Sequence, residues 1–420
     1  MDRRSFLALP AALAAACAKR PEPAARPTVL LRSGWQTENI GDIAHTPGVL
    51  HLLEQHVPEA RVILWSNATE CGVGEMLRRR FPTLEIVSGE PDELGDTFAE
   101  SDFLLHGSGP SIVARDHVQA WRLRTGKPYG VFGVTITARS EAASRALDPE
   151  LADLIEGADF VFTRETISLE NLRQAGIRNP NLDFVPDGSF SVDLENDAVA
   201  LPFLEANGLQ PGRFICCIPR LRLTPYHKFK TVNWSDEEKQ RRERINAEHA
   251  ETDHAKMRRA IERWVNETGG KALLCPEMTY ELDVLGPLLY DPLPDTVRPN
   301  VVQRKEYWLT DEACSAYKRA AAVLSFECHS PILAAAQGTP CMYIHQPEDG
   351  IKVQMWNDVG LGDWYLQVED TTGDQVADKL LAIHADRSAA QAQVQRAVGF
   401  AQERQAKGME SVNASLASSR

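Results

Sequence analysis

The chain has 420 residues, enough for two or three domains, and 43% of them are hydrophobic, as in an ordinary globular protein. Its 45 Lys and Arg against 59 Asp and Glu give a formal net charge of −14, so anionic substrates must be held by local basic side chains. This acidic balance, without a basic stripe, excludes nucleic acid as the expected partner.

The first 27 residues indicate an export signal and a tether rather than part of the fold. Arg3 and Arg4, followed by an Ala- and Leu-rich run, resemble a twin-arginine signal, by which folded proteins cross the bacterial inner membrane. The run that ends at Cys17 also resembles a lipoprotein cleavage site, which predicts a lipid anchor on that cysteine. The alternative is an unprocessed N-terminus. We expect export to the periplasm or cell envelope.

The cysteines indicate neither disulfides nor a metal site. Cys216, Cys217, Cys275 and Cys341 lie in apolar, strand-like runs, where a thiol acts as a small hydrophobic side chain. No CxxC pair occurs, and no Cys/His spacing suits zinc. We therefore expect no metal and no cofactor.

Residues 28–200 alternate apolar strand-like runs with helical segments, and Gly, Pro and Asn mark the joins. The predicted strands are 29–32, 61–65, 84–87, 102–105, 129–136, 159–163 and 182–185. The predicted helices between them include 48–56, 74–80, 116–124 and 167–175. This alternation predicts an α/β domain in which a parallel sheet is covered by helices.

A second alternating set occupies residues 210–372, after an interdomain connection at 198–213. Its predicted strands are 214–218, 272–274, 301–303, 321–326, 341–344 and 364–368. Residues 373–420 are predicted to form a closing helix or helix pair. The charged segment 224–265 is predicted to be a surface helix, with a mobile lid as the alternative. The fold expected is two Rossmann-like domains facing a cleft.

Polar residues follow several predicted strands of the first domain. Gly41 lets backbone amides approach a ligand, and Asp42 either caps the next helix or binds a substrate hydroxyl. A Gly-x-Gly turn around Ser108 also suits the close approach of a substrate, without the spacing of a dinucleotide fingerprint or a P-loop. Arg164 follows another strand, where its guanidinium fork suits a carboxylate or phosphate. The alternative for Arg164 is a structural ion pair with Glu165 or Asp187.

The second domain carries Arg220 after its first predicted strand, and Glu327 and His329 after the strand at 321–326. Lys352 lies just beyond the next strand. In open α/β sheets ligands bind in the crevice beyond the carboxyl ends of the strands, and a histidine there can transfer a proton near neutral pH. The alternative is a structural histidine and a solvated glutamate.

Taken in order, these segments resemble the polysaccharide pyruvyl transferase family over about residues 29–365. The matching positions are Asn39, Gly41 and Asp42 (Asn-x-Gly-Asp), Gly107, Ser108 and Gly109, residues 126–128, Arg164 with Glu165 and Ser168, Asp187, His329, Gly338 with Pro340, and Lys352. The resemblance implies two Rossmann-like domains similar to the GT-B glycosyltransferases. It also implies phosphoenolpyruvate as the donor and a sugar hydroxyl pair of a surface glycan as the acceptor.

The resemblance implies that Arg164 holds the pyruvyl carboxylate or the phosphate, with Arg220 and Lys352 as further candidates. It makes His329 the residue that supplies a proton or stabilises the departing phosphate. Glu327 stands where the family usually has Arg, and its carboxylate suits a base or a sugar hydroxyl. The expected substrate-binding set also includes Asn39, Gly41, Asp42, Gly107, Ser108, Gly109 and Asp187. Two alternatives remain: a GT-B-like glycosyltransferase with another activated donor, and an exported glycan-binding protein without activity.

Overall fold

The computed structural model describes residues 26–137 and 147–418. The twin-arginine-like segment, Cys17 and most of the predicted tether lie outside the described residues. Within the described ranges, no helix is long and apolar enough to cross a membrane.

The first sheet has seven parallel strands in the order β3-β2-β1-β4-β5-β6-β7. They are β1 Thr28–Arg32, β2 Arg61–Trp65, β3 Glu85–Val87, β4 Phe103–His106, β5 Tyr129–Val134, β6 Phe160–Thr163 and β7 Leu182–Phe184. Each coincides with a predicted strand to within two residues at either end. The strand order reverses at β1 and β4, which places a ligand crevice at the carboxyl ends of these two strands.

The second sheet has six parallel strands in the order β10-β9-β8-β11-β12-β13. They are β8 Phe214–Ile218, β9 Lys271–Leu274, β10 Val301–Gln303, β11 Ala322–Ser325, β12 Cys341–His345 and β13 Tyr365–Gln367. Here the order reverses at β8 and β11. The central strands β8, β9, β11 and β12 consist mainly of buried apolar residues, as expected when helices cover both faces of a parallel sheet, while the edge strands β10 and β13 are only partly buried. The prediction of an α/β fold with two parallel sheets is confirmed.

Helices separate most of the strands. The α-helices are α1 Ile40–His56, α2 Val73–Arg80, α3 Gly95–Glu100, α4 Arg115–Thr125, α5 Pro149–Glu156, α6 Thr166–Gln174, α7 Asp197–Ala206, α8 Asp236–Thr268, α9 Leu282–Val284, α10 Thr310–Tyr317, α11 His329–Ala336, α12 Gln354–Asp358, α13 Gly373–Ala385 and α14 Arg387–Ser418. Short 3₁₀ segments occupy Gly188–Ser191, Tyr226–Lys228, Thr279–Glu281, Arg298–Asn300, Pro347–Val353 and Gly362–Trp364, and a π segment occupies Leu285–Tyr290.

Helix α1 begins at Ile40, eight residues before the predicted start at 48, and runs through Pro47. The Asn39 side chain caps it by accepting hydrogen bonds from the backbone N–H groups two and three residues later. Most of the helix is buried, so its packing outweighs the missing backbone donor of the proline.

The charged segment after β8 contains α8, a single helix of 33 residues. Its C-terminal half buries Met257, Ile261 and Trp264. Before the helix, Lys230 Nζ lies 2.9 Å from Glu38 Oε2 and donates to Gln36 Oε1 at 3.1 Å, which ties this segment to the first domain. The predicted surface helix therefore exists, but it packs along half of its length.

The two domains are joined by backbone and side-chain hydrogen bonds beside the carboxyl ends of their strands. Asn39 and Met278 form an antiparallel bridge, in which the Ile40 N–H donates to the Glu277 carbonyl at 3.0 Å. The Thr310 hydroxyl donates to the Ile40 carbonyl at 2.9 Å. These contacts bring the start of α1 against the second domain.

Candidate active site

His329 is the first residue of α11, and three residues separate it from the end of β11 at Ser325. Its ring lies edge-on to that of His45 from α1, with centroids 5.0 Å apart. Its Nε2 is 3.9 Å from an oxygen of Asp187, which follows β7. A histidine of the second domain thus meets a histidine and a carboxylate of the first.

A second carboxylate lies on the other side of the His329 ring. Glu277 Oε1 is 3.7 Å from His329 Nδ1, and Glu277 Oε2 accepts a hydrogen bond of 2.5 Å from the Ser330 N–H. Burial opposes a charge on His329, but Asp187 and Glu277 outweigh it and hold the histidine pKa well above its usual value. The two carboxylates therefore favour the protonated, imidazolium form of His329.

Asp187 is the most heavily bonded carboxylate of the site. Its Oδ2 accepts from the Arg164 guanidinium at 2.9 Å, and its Oδ1 lies 2.9 Å from His45 Nδ1. The Ser189 N–H and hydroxyl also donate to Oδ1, both at 2.9 Å. Although burial opposes its ionisation, the facing histidines and Arg164 keep the pKa of Asp187 well below its usual range.

Arg164, which the sequence suggested as the main ligand for the donor, has partners within the protein. Its Nε donates to the Thr135 hydroxyl at 2.7 Å and its guanidinium pairs with Asp187, while only 2% of the residue is exposed. Of the two roles that the sequence left open for Arg164, the structure contains the structural ion pair with Asp187. Arg164 therefore acts on the site through Asp187.

Gly41 lies where α1 of the first domain packs against His329 and Glu277 of the second. A Cβ at this position would stand 2.4 Å from the His329 Cβ and 2.7 Å from Glu277 Oε1. The requirement for glycine thus comes from the domain junction rather than from a ligand approaching its backbone. Asn39 serves the same junction, because it caps α1 and pairs with the second domain through its backbone.

Asp42 is at the edge of this cluster, and its side chain is partly exposed. One carboxylate oxygen is 3.9 Å from His45 Nε2, and the other accepts from the Gln36 amide. Because Asn39 caps α1, the Asp42 side chain is not needed as the cap and is available to a ligand in the cleft.

The turn after β4 lies against His45. The Ser108 hydroxyl is 3.0 Å from His45 Nδ1, and the Ser108 carbonyl accepts from the Trp35 indole at 2.8 Å. Gly107 and Gly109 flank this serine, and a Cβ on Gly109 would stand 3.0 Å from the Trp35 indole nitrogen. The glycines of this turn thus permit close packing around Ser108.

The remaining predicted residues form a second cluster beside the first. Glu327 Oε1 is 3.0 Å from Arg220 Nε, and Arg220 also pairs with Asp349. Lys352 Nζ lies 2.7 Å from the same Asp349 oxygen that Arg220 contacts. Burial raises the pKa of Glu327 to about 7, although Arg220 opposes this shift and nearby Glu277 adds to it.

Sequence reasoning missed three residues of the site: His45, Glu277 and Asp349. Glu277 follows β9 by three residues, and Asp349 follows β12 by four, so the strand-end rule would have found both. His45 does not follow a strand. It lies in the first part of α1, which the sequence does not indicate as helical because Pro47 interrupts it.

His45, Asp187 and His329 are also the described residues that most resemble a metal site, with one ligand atom from each within 4.8 Å of the others. Both Asp187 oxygens, however, already accept hydrogen bonds, one of them from the Arg164 cation. To bind His329, a divalent cation would also have to displace a proton from an imidazole ring that lies between two carboxylates, Asp187 and Glu277. These three side chains are therefore better suited to a hydrogen-bond network than to a metal ion.

A family model for polysaccharide pyruvyl transferase matches residues 39–345. The chain belongs to the polysaccharide pyruvyl transferase family. The predicted resemblance is thereby confirmed, and membership supports a transferase that modifies glycans. The matched range begins at the cap of α1 and ends with β12, so it includes both histidines, Asp187, Glu277 and Glu327.

Solved structures with two domains of this kind share the fold at low sequence identity. UDP-GlcNAc 2-epimerase from Neisseria meningitidis, bound to UDP-GlcNAc, has a TM-score of 0.54 at 11% identity, covering 92% of this chain and 99% of that one. Anabaena HepE in complex with UDP-glucose has a TM-score of 0.52 at 10% identity, covering 90% and 95%. A glycosyltransferase-like architecture of GT-B type is thus confirmed. No protein of curated function matches the sequence.

Proposed function

We propose that the protein transfers a pyruvyl group from phosphoenolpyruvate to a pair of sugar hydroxyls on a surface glycan. Family membership supports this reaction, and one observation carries it at the level of the site. His329 is held as an imidazolium at the junction of the domains, and its Nε2 has no hydrogen-bond partner among the described residues. A proton donor of this kind is what an enol phosphate needs.

In the proposed reaction the His329 proton is added to the methylene carbon of phosphoenolpyruvate. The neighbouring carbon becomes oxocarbenium-like and is attacked by a first sugar hydroxyl. Phosphate leaves as the second hydroxyl attacks, and a pyruvate ketal remains. The two hydroxyl protons balance the reaction, since one ends on the methyl group and the other on phosphate.

Glu327 is the proposed base that receives a hydroxyl proton. Burial places its pKa at about 7, so the carboxylate and its acid are both available near neutral pH. We propose that the anionic donor binds to Arg220 and Lys352 and displaces their present partners, Glu327 and Asp349. This exchange would release Glu327 from its cation at the moment the donor binds.

The test is release of phosphate from phosphoenolpyruvate in the presence of acceptor glycans, with mass spectrometry of the glycan to detect the ketal. His329→Gln should abolish turnover, while His249→Gln on α8, outside the site, should not. If the wild-type protein neither binds phosphoenolpyruvate in calorimetry nor releases phosphate with a broad acceptor panel, the proposed reaction is wrong.

A second candidate is a glycosyltransferase that uses a nucleotide sugar. It is favoured by the fold neighbours, which were solved with UDP-GlcNAc and UDP-glucose. Calorimetry with UDP-glucose, UDP-GlcNAc and phosphoenolpyruvate would separate the two candidates, because each predicts tight binding of a different donor. Glycan binding that survives Arg164→Ala and His329→Ala, without turnover by the wild type, would instead indicate the non-enzymatic alternative.

We further propose that the protein is exported and anchored through its first 27 residues. The basis is the Arg3-Arg4 pair and the run ending at Cys17. Fractionation of cells expressing the full chain, compared with the Arg3→Lys/Arg4→Lys and Cys17→Ser variants, tests this proposal. Retention of all three proteins in the same fraction would contradict it.

A further inference from the structure

The long helix α14 lies beyond the matched range 39–345 but packs against the first domain. Its Arg404 donates to Asp183 Oδ1 at 2.7 Å and to the Phe184 carbonyl, both at the end of β7. One turn later Gly408 fits against Phe132 and Val185, where a Cβ would stand 3.1 and 3.2 Å from their side chains. The helix is therefore fixed over the strand that leads to Asp187.

Between these two contacts, Gln405 is completely buried and points at the turn after β7. Its amide nitrogen donates to the Asp187 carbonyl at 2.7 Å and to the Pro186 carbonyl at 3.3 Å. Its amide oxygen accepts from the Ser191 hydroxyl at 2.7 Å. One side chain thus bonds both ends of the segment 186–191, with both amide donors and the amide oxygen in use.

We infer that Gln405 is a positioning residue of the active site, which fixes the backbone of residues 186–191 so that the Asp187 carboxylate faces His329, His45 and Arg164. The inference rests on the proposed function, because it assumes that Asp187 sustains the charge on the catalytic histidine. Gln405 does not touch the reacting groups and acts only through Asp187.

The geometry shows why a small movement of this turn would matter. The Asp187 Oδ2 to His329 Nε2 distance is 3.9 Å, already longer than a hydrogen bond, so a further displacement weakens the attraction directly. Without Gln405 the buried carbonyls of Pro186 and Asp187 would lose a donor, and the turn would move to recover one. The same shift would change the Arg164 and His45 contacts of Asp187.

The experiment compares Gln405→Met, which keeps the shape but loses the hydrogen bonds, with Gln402→Ala, an exposed residue of the same helix. Ser191→Ala breaks one bond of the same network from the other side and serves if Gln405→Met fails to fold. The imidazole signal of His329, assigned by its loss in His329→Gln, is followed by NMR through a pH titration. Steady-state kinetics with phosphoenolpyruvate are measured in parallel.

We expect the His329 titration to move to lower pH in Gln405→Met and Ser191→Ala but not in Gln402→Ala. We also expect kcat to fall by about tenfold to a hundredfold in Gln405→Met with little change in KM, as for a small misplacement of a catalytic group. Folded variants with an unchanged His329 titration would overturn the inference. The titration of His329 does not depend on turnover. If the protein proves not to use phosphoenolpyruvate, the titration therefore still supports or overturns the inference about Gln405.

Discussion

Gly41 and His329 belong to different domains, and the space between them is too small for a single methyl group, since a Cβ on Gly41 would lie 2.4 Å from the His329 Cβ. The sequence motif that contains Gly41 therefore has a structural role at the domain junction. It allows the capped end of α1 to reach the histidine and Glu277.

Gly41→Ala should destabilise the protein by about 1–3 kcal/mol, because the new methyl overpacks a buried junction. Gly95→Ala, at the start of α3, is the matched control, since a Cβ there meets no atom within 4 Å. Urea unfolding of both variants measures the difference. Equal stabilities for the two variants would show that the junction opens freely to admit the methyl group.

The charge on His329 should make stability depend on pH in a defined direction. The histidine pKa is raised in the folded protein and is about 6.5 when unfolded, so the stabilisation is fully present below pH 6.5 and is lost as pH rises through the folded-state value. The stability gap between the wild type and His329→Gln should therefore be largest near pH 6 and shrink above it. Urea unfolding between about pH 5.5 and 9 tests this. A gap that grows with pH would contradict the assignment of His329 as an imidazolium.

Glu327 should set the acid side of the pH–activity profile. Its pKa is raised to about 7 by burial, and the proposed base must be ionised, so kcat/KM should increase as pH rises through 7. Glu327→Gln should lose most of the activity together with this step. Glu237→Gln, an exposed position on α8, should keep the wild-type profile. An unchanged step in Glu327→Gln would assign it to another group.

Arg220 and Glu327 should be strongly coupled. Arg220→Met leaves Glu327 and Asp349 buried with less compensation and should cost about 3–5 kcal/mol of stability. Adding Glu327→Gln should restore part of the loss, giving a coupling energy of about 0.5–3 kcal/mol in a double-mutant cycle.

The exposed pair Arg61–Glu100, 2.8 Å apart, is the control for that cycle. Its coupling energy should stay below about 1 kcal/mol, because water and salt screen it. Strict additivity at Arg220 and Glu327 would mean that their contact contributes nothing to the folded state.

The fold could be predicted almost completely from the sequence, because buried parallel strands are short apolar runs that differ sharply from the helices between them. Helix α1 is the clearest exception, since Pro47 concealed eight residues that tertiary packing keeps helical. The alternation of strands and helices also indicated which segments end at the cleft, and therefore where Asp187, Glu327 and His329 would lie.

What the sequence could not supply was the partners of these side chains. The guanidinium of Arg164 is suited to bind the carboxylate or phosphate of a donor substrate. Only the structure shows that Asp187 already pairs with it. Gln405 lies more than two hundred residues from Asp187 in the chain, and no local pattern marks a polar residue that is buried at such a distance. Long-range contacts of this kind are decided by packing, not by spacing along the chain.

The position of Gln405 also bears on the order in which the protein is assembled during translation. Domains generally fold from the N-terminus as the chain is synthesised, so the first sheet can form long before α14 exists. The turn that carries Asp187 nevertheless gains its three hydrogen bonds to Gln405 only when that late helix docks. A nascent chain would therefore hold a folded first sheet while the turn at Asp187 still lacked these bonds, and the proposed catalytic geometry would be completed only after α14 had emerged from the ribosome.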